Sequence, residues 1–292
     1  MTIPQDPVLC IDLHCHSTAS DGALSPSALL ERAAERGVSH LALTDHDTIA
    51  GFAEAWDAAG KHGVTLIPGV ELSCLWKSLT IHVVGLDFDP DNAGFQSALA
   101  QQNENRRARA RMIAERLSKL GIDDLLEQAT AAAGGDVPGR PHFAAVLTGE
   151  GVVRNPAQAF KRYLGNGKAG DVKAYWPELP EVVRWINEAG GIAVLAHPRK
   201  YQLTATKLRA LTADFRRAEG QAIEVSTSGQ SSGDLGFLAA LCRREGLLAS
   251  QGSDFHFPGA PWCELGRITK MPDGLEPVWH SFRQPILSPA PV

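Results

Sequence analysis

Histidines and carboxylates recur where the apolar segments of this chain end. The segment CIDLHCHSTASDG, at 10–22, carries His14 and His16 and finishes in a polar turn that ends with glycine. Residues two apart in an extended strand point to the same side. The two imidazoles therefore project together from one strand end, which is more typical of metal ligands than of side chains that fill a core.

Later apolar segments carry similar side chains. Asp45, His46 and Asp47 close the second segment, and the other donors are Glu71, His82, His197, Asp254 and His256. An isolated histidine on a strand is more often an ordinary core or surface residue, and we assign no site role to His40, His62 or His280. In a barrel of parallel strands, however, the carboxyl ends meet at one mouth. We expect six of the ten histidines and at least three carboxylates to converge there.

This donor set favours a particular metal chemistry. Imidazole and carboxylate without thiolate suit Mn²⁺, Zn²⁺ or Fe²⁺, and the donors exceed one coordination sphere, so we predict two or three ions. Glu71 can offer one oxygen to each of two ions, and Asp12 lies on the strand face of His14, where it would orient a ligand from behind. Adjacent ions lower the pKa of a bound water to about 7 and stabilise the attacking and leaving oxygens of a hydrolysis.

The elements that must position these residues alternate along the chain. Apolar, β-rich segments predict strands at 8–14, 40–46, 64–73, 79–88, 190–198, 221–226 and 246–256, with helical patterns between most of them. Such alternation predicts an α/β fold of parallel β/α units closed into a barrel. Residues 94–166 read as consecutive helices, so we predict a first barrel part at 1–93, a helical insert at 94–166 and a second barrel part at 167–292.

The first helix of the insert contains a cluster of arginines. Its apolar stripe consists of Ile113, Leu117 and Leu120. Followed back at helical spacing, the stripe reaches Arg109 and Arg106. An inward guanidinium needs an anion because an unpaired buried charge is costly, and it binds phosphate through two hydrogen bonds. The alternative is an ion pair with Glu104 or another acid of the chain.

A second candidate anion site lies in the same insert. GRPHFAAVL, at 139–147, opens a helix with Arg140 and His142 in its first turn. Free N–H groups and the helix dipole favour anions at a helix N-terminus. The alternative is a surface arginine and a histidine that merely caps the helix.

Composition excludes several functional classes. With 292 residues and a formal net charge of −5, wholesale binding to nucleic acid or to a membrane surface is not expected. Five cysteines without a C-x-x-C pair indicate neither a disulfide framework nor a zinc knuckle. Residues 1–10 lack the pattern of a secretory signal, and no apolar run is long enough to span a membrane. We therefore expect a cytoplasmic protein with no obligate protein partner.

The ordered motifs DLHCHS, TDHD, PGVELS, IHVVGL, LAHP and GSDFH resemble those of the PHP (polymerase and histidinol phosphatase) family. That resemblance implies a distorted (β/α)₇ barrel with a phosphoesterase site of two or three metals, and among Mn²⁺, Zn²⁺ and Fe²⁺ we expect Mn²⁺. DLHCHSTASDG, LALTDHDT, LASQGSDFH and the insert are more closely similar to bacterial 3′,5′-nucleotide bisphosphate phosphatases, a group whose relatives also trim short RNA from the 5′ end.

Carried over by motif, the resemblance implies a ligand set for each metal. One ion would take His14, His16, Glu71 and Asp254, and a second would share Glu71 and take His82 and His197. Asp21, His46 and His256 would hold a third ion or contact the substrate phosphate. Asp21 stands where many relatives have histidine, and Arg199 stands where glycine is common.

The resulting prediction is a metal-dependent phosphatase that removes the 3′-phosphate of nucleoside 3′,5′-bisphosphates such as pAp. Catalytic proton transfer is assigned to Asp254 or His256, with His46 beside the phosphate, and substrate binding to Asp21, His46, Arg106, Arg109 and His142. The alternatives are a 5′→3′ exonuclease on short RNA, a histidinol-phosphate phosphatase, and a non-catalytic metal-bound module of the kind attached to polymerases.

Overall fold

Seven strands form one sheet in chain order, β1-β2-β3-β4-β5-β6-β7. The computed structural model describes residues 9–173, 175–284 and 286. The strands are β1 Ile11–Cys15, β2 His40–Leu43, β3 Thr65–Trp76, β4 Leu79–Leu86, β5 Ile192–Leu195, β6 Ala222–Thr227 and β7 Leu248–Gly252. The seven predicted strands are present with shifted ends, although Val8 of the first prediction lies outside the described residues.

The sheet closes on itself between its first and last strands. Cys15 bridges Phe255 just after β7. The His16 N–H donates to the Phe255 carbonyl at 2.9 Å, and the Asp254 N–H donates to the His14 carbonyl at 2.7 Å. These bonds complete the predicted seven-stranded barrel.

Helices lie between most of the strands, as predicted. They are α1 Pro26–Glu35, α2 Phe52–His62, α3 Ala93–Ser118, α4 Leu125–Ala132, α5 Arg140–Gly149, α6 Pro156–Ala159, α7 Leu179–Glu188, α8 Ala205–Arg217 and α9 Ser232–Glu245. The Ser25 side chain accepts from the Ala28 N–H and Pro26 occupies the first turn of α1, as its sequence favours. Within the described part of the chain, no helix is both long and apolar enough to cross a membrane.

The expectation of uniformly parallel strands is wrong for β4, which pairs antiparallel with both β3 and β5. Only Lys77 and Ser78 separate β3 from β4, and both have positive φ, 47° and 66°. A two-residue connection makes a hairpin, whereas a parallel pairing needs a crossover of a dozen residues or more. Because β4 runs antiparallel to β3, His82 pairs with Ser73, two residues after Glu71, and lies at the same mouth as the other donors.

Helices α3 to α6 and one π-helical turn, Phe160–Leu164, lie between β4 and β5. They enclose an apolar cluster that includes Ile113, Leu117, Phe143, Leu147 and Leu164. Leu120, predicted to continue the buried stripe, is 57% exposed. The reason is that α3 ends at Ser118, so the helical spacing no longer applies at Leu120.

Candidate metal centre

Glu71 lies at the middle of the predicted donor cluster. It belongs to β3, and its side chain is 1% exposed. Its Oε2 lies 3.3 Å from His14 Nε2, 3.4 Å from His16 Nε2 and 3.1 Å from His46 Nδ1. Strands β1, β2 and β3 thus bring three imidazoles to one carboxylate oxygen.

The other oxygen of Glu71 faces two different histidines. Oε1 lies 2.9 Å from His82 Nδ1 and 2.8 Å from His197 Nε2. The Tyr201 hydroxyl accepts from the His82 N–H at 2.9 Å and donates to the Ala196 carbonyl at 2.9 Å, which fixes both strands. A carboxylate whose two oxygens face separate histidine sets has the arrangement expected of a ligand shared by two cations.

Two further carboxylates face the same imidazoles. Asp254 Oδ1 lies 3.3 Å from His16 Nε2 and 3.5 Å from His256 Nδ1. Asp21 lies 3.5 Å from His256 Nε2 through Oδ1 and 3.7 Å from His46 Nε2 through Oδ2. The turn after β1 and the loop after β7 therefore add acidic groups to one rim.

All nine predicted metal ligands belong to groups whose donor atoms lie within 4.8 Å of one another. The groups are His16, Asp21, His46 and His256; His14, His197 and Asp254; His14, His16 and Glu71; and His46, Glu71 and His82. The first group is the predicted third set with His16 added, whereas Asp254 groups with His197 as well as with His14. The allocation of ions to these groups stays a prediction.

Buried nitrogens and oxygens without partners test whether this cluster suits cations. The buried atoms that lack a hydrogen-bond partner include His14 Nε2, both ring nitrogens of His16, His46 Nδ1 and Glu71 Oε2. Leaving such groups unpaired costs roughly 1–3 kcal/mol each. A divalent cation would accept their lone pairs, so the donor set fits the metals that the sequence predicts.

The charges of the cluster agree with this fit. Burial alone would raise the pKa of Glu71, but the imidazoles of His46, His82 and His14 hold it well below its usual value. Burial lowers the pKa of His46 well below its usual value. Burial would also lower the pKa of His14, but the carboxylates of Glu224 and Glu71 raise it to about 10. Burial also lowers the pKa of His16 and of His256, so these imidazoles are neutral and can bind a cation, whereas His14 must release a proton when a metal binds.

Glu224 contacts the donor cluster from behind and was not predicted from the sequence. It lies in β6, 1% exposed, with Oε1 2.6 Å from His14 Nδ1, and its Oε2 accepts the His197 N–H at 2.5 Å. The signal in the sequence is an acid between the apolar residues Ile223 and Val225 of a strand. Asp12 was expected to orient a ligand and instead accepts the backbone N–H groups of Ser253 and Gly266, at 2.8 and 2.9 Å. It therefore holds the loop after β7 rather than an imidazole.

Three residues of this rim have backbone conformations that L-residues rarely adopt. The φ angles are 57° at Asp47, 28° at His197 and 54° at Asp254. Each such residue costs about 1–3 kcal/mol and persists only where its surroundings impose it. Hydrogen bonds to Glu224 and His14 impose the conformation at His197 and Asp254, so the strain accompanies the positioning of the donors.

A cavity of about 210 Å³ lies between the donors and the insert. The wall on the barrel side includes Asp21, His46 and His82. The opposite wall includes Arg106, Arg109, Arg140, Phe160 and Trp176. Burial lowers the pKa of Arg109 to about 9, and the charges of Arg140 and Arg106 add to that shift. Three guanidinium groups that repel one another across a small cavity favour an anion inside it.

The arginines differ in how they are held. Arg106 donates through Nη1 to Asp47 Oδ2 at 3.0 Å, so its acid partner is Asp47, distant in the chain, rather than Glu104. Arg109 donates through Nε to the Val172 carbonyl at 2.8 Å and packs on the Trp176 ring. It has no paired acid among the described residues.

His142 lies at the beginning of α5, where Arg140 reaches the cavity wall. Its Nδ1 accepts the Gly139 N–H at 3.0 Å, as in a capping box. Burial lowers its pKa. His142 therefore caps the helix, which is the alternative given for it, and a contact between His142 and substrate stays a prediction.

Known proteins resemble this chain over almost its whole length. Residues 12–133 match the family model described as PHP domain. The chain is 46% identical over 271 residues to the 5′-3′ exoribonuclease of Haemophilus influenzae, which covers 93% of this chain and 98% of that protein. It is 40% identical to the 3′,5′-nucleoside bisphosphate phosphatase of Chromobacterium violaceum, over 96% of this chain and 99% of that protein.

A solved structure agrees with the fold. It is an amidohydrolase from Chromobacterium violaceum with bound sulfate and no metal, 40% identical to this chain. The TM-score is 0.86, over 93% of this chain and 95% of that one.

Proposed function

Because the chain belongs to the PHP domain family, we propose that it is a metal-dependent phosphatase that removes the 3′-phosphate from nucleoside 3′,5′-bisphosphates. It is a hydrolase of phosphate esters, as its relatives are. The observation that carries the substrate proposal is the cavity, which has the donor cluster on one wall and three arginines on the other.

The donor cluster is assigned to two or three divalent ions, with Mn²⁺ proposed. The residues that would hold them are His14, His16, Asp21, His46, Glu71, His82, His197, Asp254 and His256. When bound, such ions neutralise the charge on phosphate oxygens and lower the pKa of a water molecule. Within this centre Glu71 is assigned the shared position, and Glu224 holds the His14 ring in one orientation.

The reaction transfers a phosphoryl group to water. The water oxygen bonds to phosphorus, the bond between O3′ and phosphorus breaks, and O3′ takes up a proton. His256 or Asp254, on the rim after β7, is assigned to that proton transfer. Asp21 and His46 line the cavity between the donor cluster and the arginines and are assigned to the phosphate that reacts.

The arginines are assigned to the phosphate that does not react. The donor cluster alone would accept many phosphate monoesters, so it cannot select one. A substrate with two phosphates on one ribose would contact both walls of the cavity, whereas a 3′-monophosphate would leave Arg109 and Arg140 without an anion, since in the described part of the chain only Arg106 of the three is paired with an acid. Arg109 is the sharpest case because no acid is paired with it among the described residues.

Relative kcat/KM values test this assignment. We expect wild-type protein to prefer pAp to 3′-AMP, 5′-AMP and histidinol phosphate. Arg109→Ala should lower kcat/KM for pAp by about 10- to 100-fold, the value of a charge-assisted hydrogen bond, and should change 3′-AMP hydrolysis much less. The matched control is Arg111→Ala on the exposed side of α3. Equal kcat/KM for pAp and 3′-AMP in the wild type would overturn the assignment.

A 5′→3′ exoribonuclease is the second candidate function. The relative from Haemophilus influenzae carries that name and is 46% identical to this chain. The same bond is broken in a 5′-phosphorylated oligonucleotide, whose first nucleotide resembles a bisphosphate. A dinucleotide such as pApA, added to the substrate panel, measures this activity directly.

A further inference from the structure

A second groove reaches the donor cluster by a different route. It has a volume of about 230 Å³, and its walls include Asp254 and His256. It shares no lining residue with the arginine cavity, which instead reaches Asp21, His46 and His82. A phosphate held by the donor cluster therefore has two neighbouring spaces rather than one.

Two exposed aromatic side chains line this groove. Phe257 is 55% exposed and Trp262 is 65% exposed. A single exposed apolar residue needs no explanation. Here, however, two of the four large exposed hydrophobics in the described part of the chain lie in one loop, directly beside the proposed reaction centre. They form an open aromatic platform.

The backbone beneath this platform is anchored. Cys263 Sγ donates to the Ser253 carbonyl at 3.3 Å, and Arg267 Nη1 donates to the Pro261 carbonyl at 2.9 Å. Gly229 has a φ of 65°, and a Cβ there would lie 3.4 Å from Trp262 Cβ, so the loop after β6 packs closely on the tryptophan. A platform that is already fixed loses little conformational entropy when a ligand binds.

A cation lies on the same wall. Lys200 contacts the Asp254 carboxylate, and its side chain is 58% exposed. Aromatic rings for base stacking combined with positive charge for the backbone are the two features that single-stranded nucleic acid sites share. Because Asp254 and His256 also line this groove, a nucleic acid bound here would place in the groove the part that adjoins the reacting phosphate.

We propose that this groove binds the nucleotide that follows the scissile phosphate in a 5′-phosphorylated oligonucleotide, with its base stacked on Trp262 or Phe257. The proposal rests on the proposed function, because it takes the first nucleotide to occupy the arginine cavity. Water bonds to phosphorus and the O3′–phosphorus bond breaks, as in a bisphosphate. The difference is that the phosphate of an oligonucleotide is also bonded to O5′ of the second nucleotide. Hydrolysis therefore releases the second nucleotide with this phosphate on its O5′, and O3′ of the first nucleotide takes up a proton.

Three substrates isolate the contribution of the second base. They are pAp, the dinucleotide pApA, and a dinucleotide analogue whose second ribose lacks its base. We expect wild-type kcat/KM to be higher for pApA than for the abasic analogue by about 5- to 150-fold, the range measured for stacking of one base. In Trp262→Ala, and to a lesser degree in Phe257→Ala, that ratio should fall toward one.

The matched control is Trp56→Ala. Trp56 lies on α2, is 58% exposed and lines neither the groove nor the arginine cavity, so the variant should keep the wild-type ratio. A wild-type ratio near one, or a Trp262→Ala protein that keeps the full ratio, would overturn the groove assignment. Hydrolysis of pAp without cleavage of pApA would also overturn it while leaving the proposed function intact. If the wild type hydrolyses neither, the proposed function itself fails.

Discussion

Replacing Glu224 by glutamine tests whether a residue outside the predicted ligand set controls the metal centre. The Glu224 carboxylate is acceptor to two groups: Oε1 lies 2.6 Å from His14 Nδ1, and Oε2 accepts the His197 N–H at 2.5 Å. Glutamine keeps the size of the side chain but offers one acceptor oxygen and one NH₂ group. Either His14 Nδ1 or the His197 N–H must therefore face the NH₂ group of the glutamine, which cannot accept a hydrogen bond.

The expected magnitude follows from those two contacts. Groups that orient a metal-binding histidine typically contribute 10- to 100-fold to metal affinity or activity, which corresponds to about 1.4–2.7 kcal/mol. A donor left unsatisfied at this buried position costs about 1–3 kcal/mol of folding stability in addition. We expect Glu224→Gln to bind Mn²⁺ about 10- to 100-fold more weakly and to unfold at a lower urea concentration.

Titration calorimetry with Mn²⁺ measures the affinity, and urea unfolding of the metal-free protein measures the stability separately. Glu264→Gln is the matched control, because Glu264 is paired with Arg32 at 2.5 Å and lies outside the donor groups. This control should bind Mn²⁺ as the wild type does. Wild-type Mn²⁺ affinity in Glu224→Gln would refute the argument that the carboxylate acts through His14.

Chelation should abolish hydrolysis, and added Mn²⁺ should restore it. Elemental analysis of the active protein should find at least two ions per chain. One ion or none in a fully active sample would contradict this prediction. Arg106→Ala should lower the free energy of unfolding, measured with urea, by about 3 kcal/mol, because it removes the cation paired with buried Asp47. The hydrogen bonds from Ser73 and Gln102 to Asp47 remain. Unchanged stability would mean that this pair contributes little. Gly252→Ala should lower the melting temperature and weaken Mn²⁺ binding, since a Cβ there would overlap His14 at a typical cost of about 1–3 kcal/mol. Gly60→Ala in α2, where a Cβ meets nothing, should instead be stabilising by about 0.5–1 kcal/mol.

The positions of the strands and of their polar ends were predictable because both follow local patterns. His14 and His16 share a strand face by period alone, and all nine donors meet at the mouth of the closed barrel. The alternation of side chains along a strand does not show whether the strand runs parallel or antiparallel to its neighbours. The reversal of β4 depends on the Lys77-Ser78 turn, whose positive φ angles are not signalled by asparagine or glycine.

Partners distant in the chain could not be predicted from spacing. The sequence offered Glu104 as an acid for Arg106, but the fold supplies Asp47, which is 59 residues away. The role of Glu224 could not be predicted for a related reason. Its role depends on β6 passing behind both His14 and His197, which only the closed barrel establishes.

The seam between β1 and β7 has a consequence for the order in which the molecule assembles. Ser253 Oγ bonds to the His14 carbonyl across 239 residues of chain, so this edge has one of the largest loop-closure costs in the fold and should form late in folding. His14 and His16 lie on one side of the seam, and Asp254 and His256 lie on the other. An ion bound by residues from both sides would cross-link β1 to the segment after β7, so bound metal should slow the opening of the barrel at this seam.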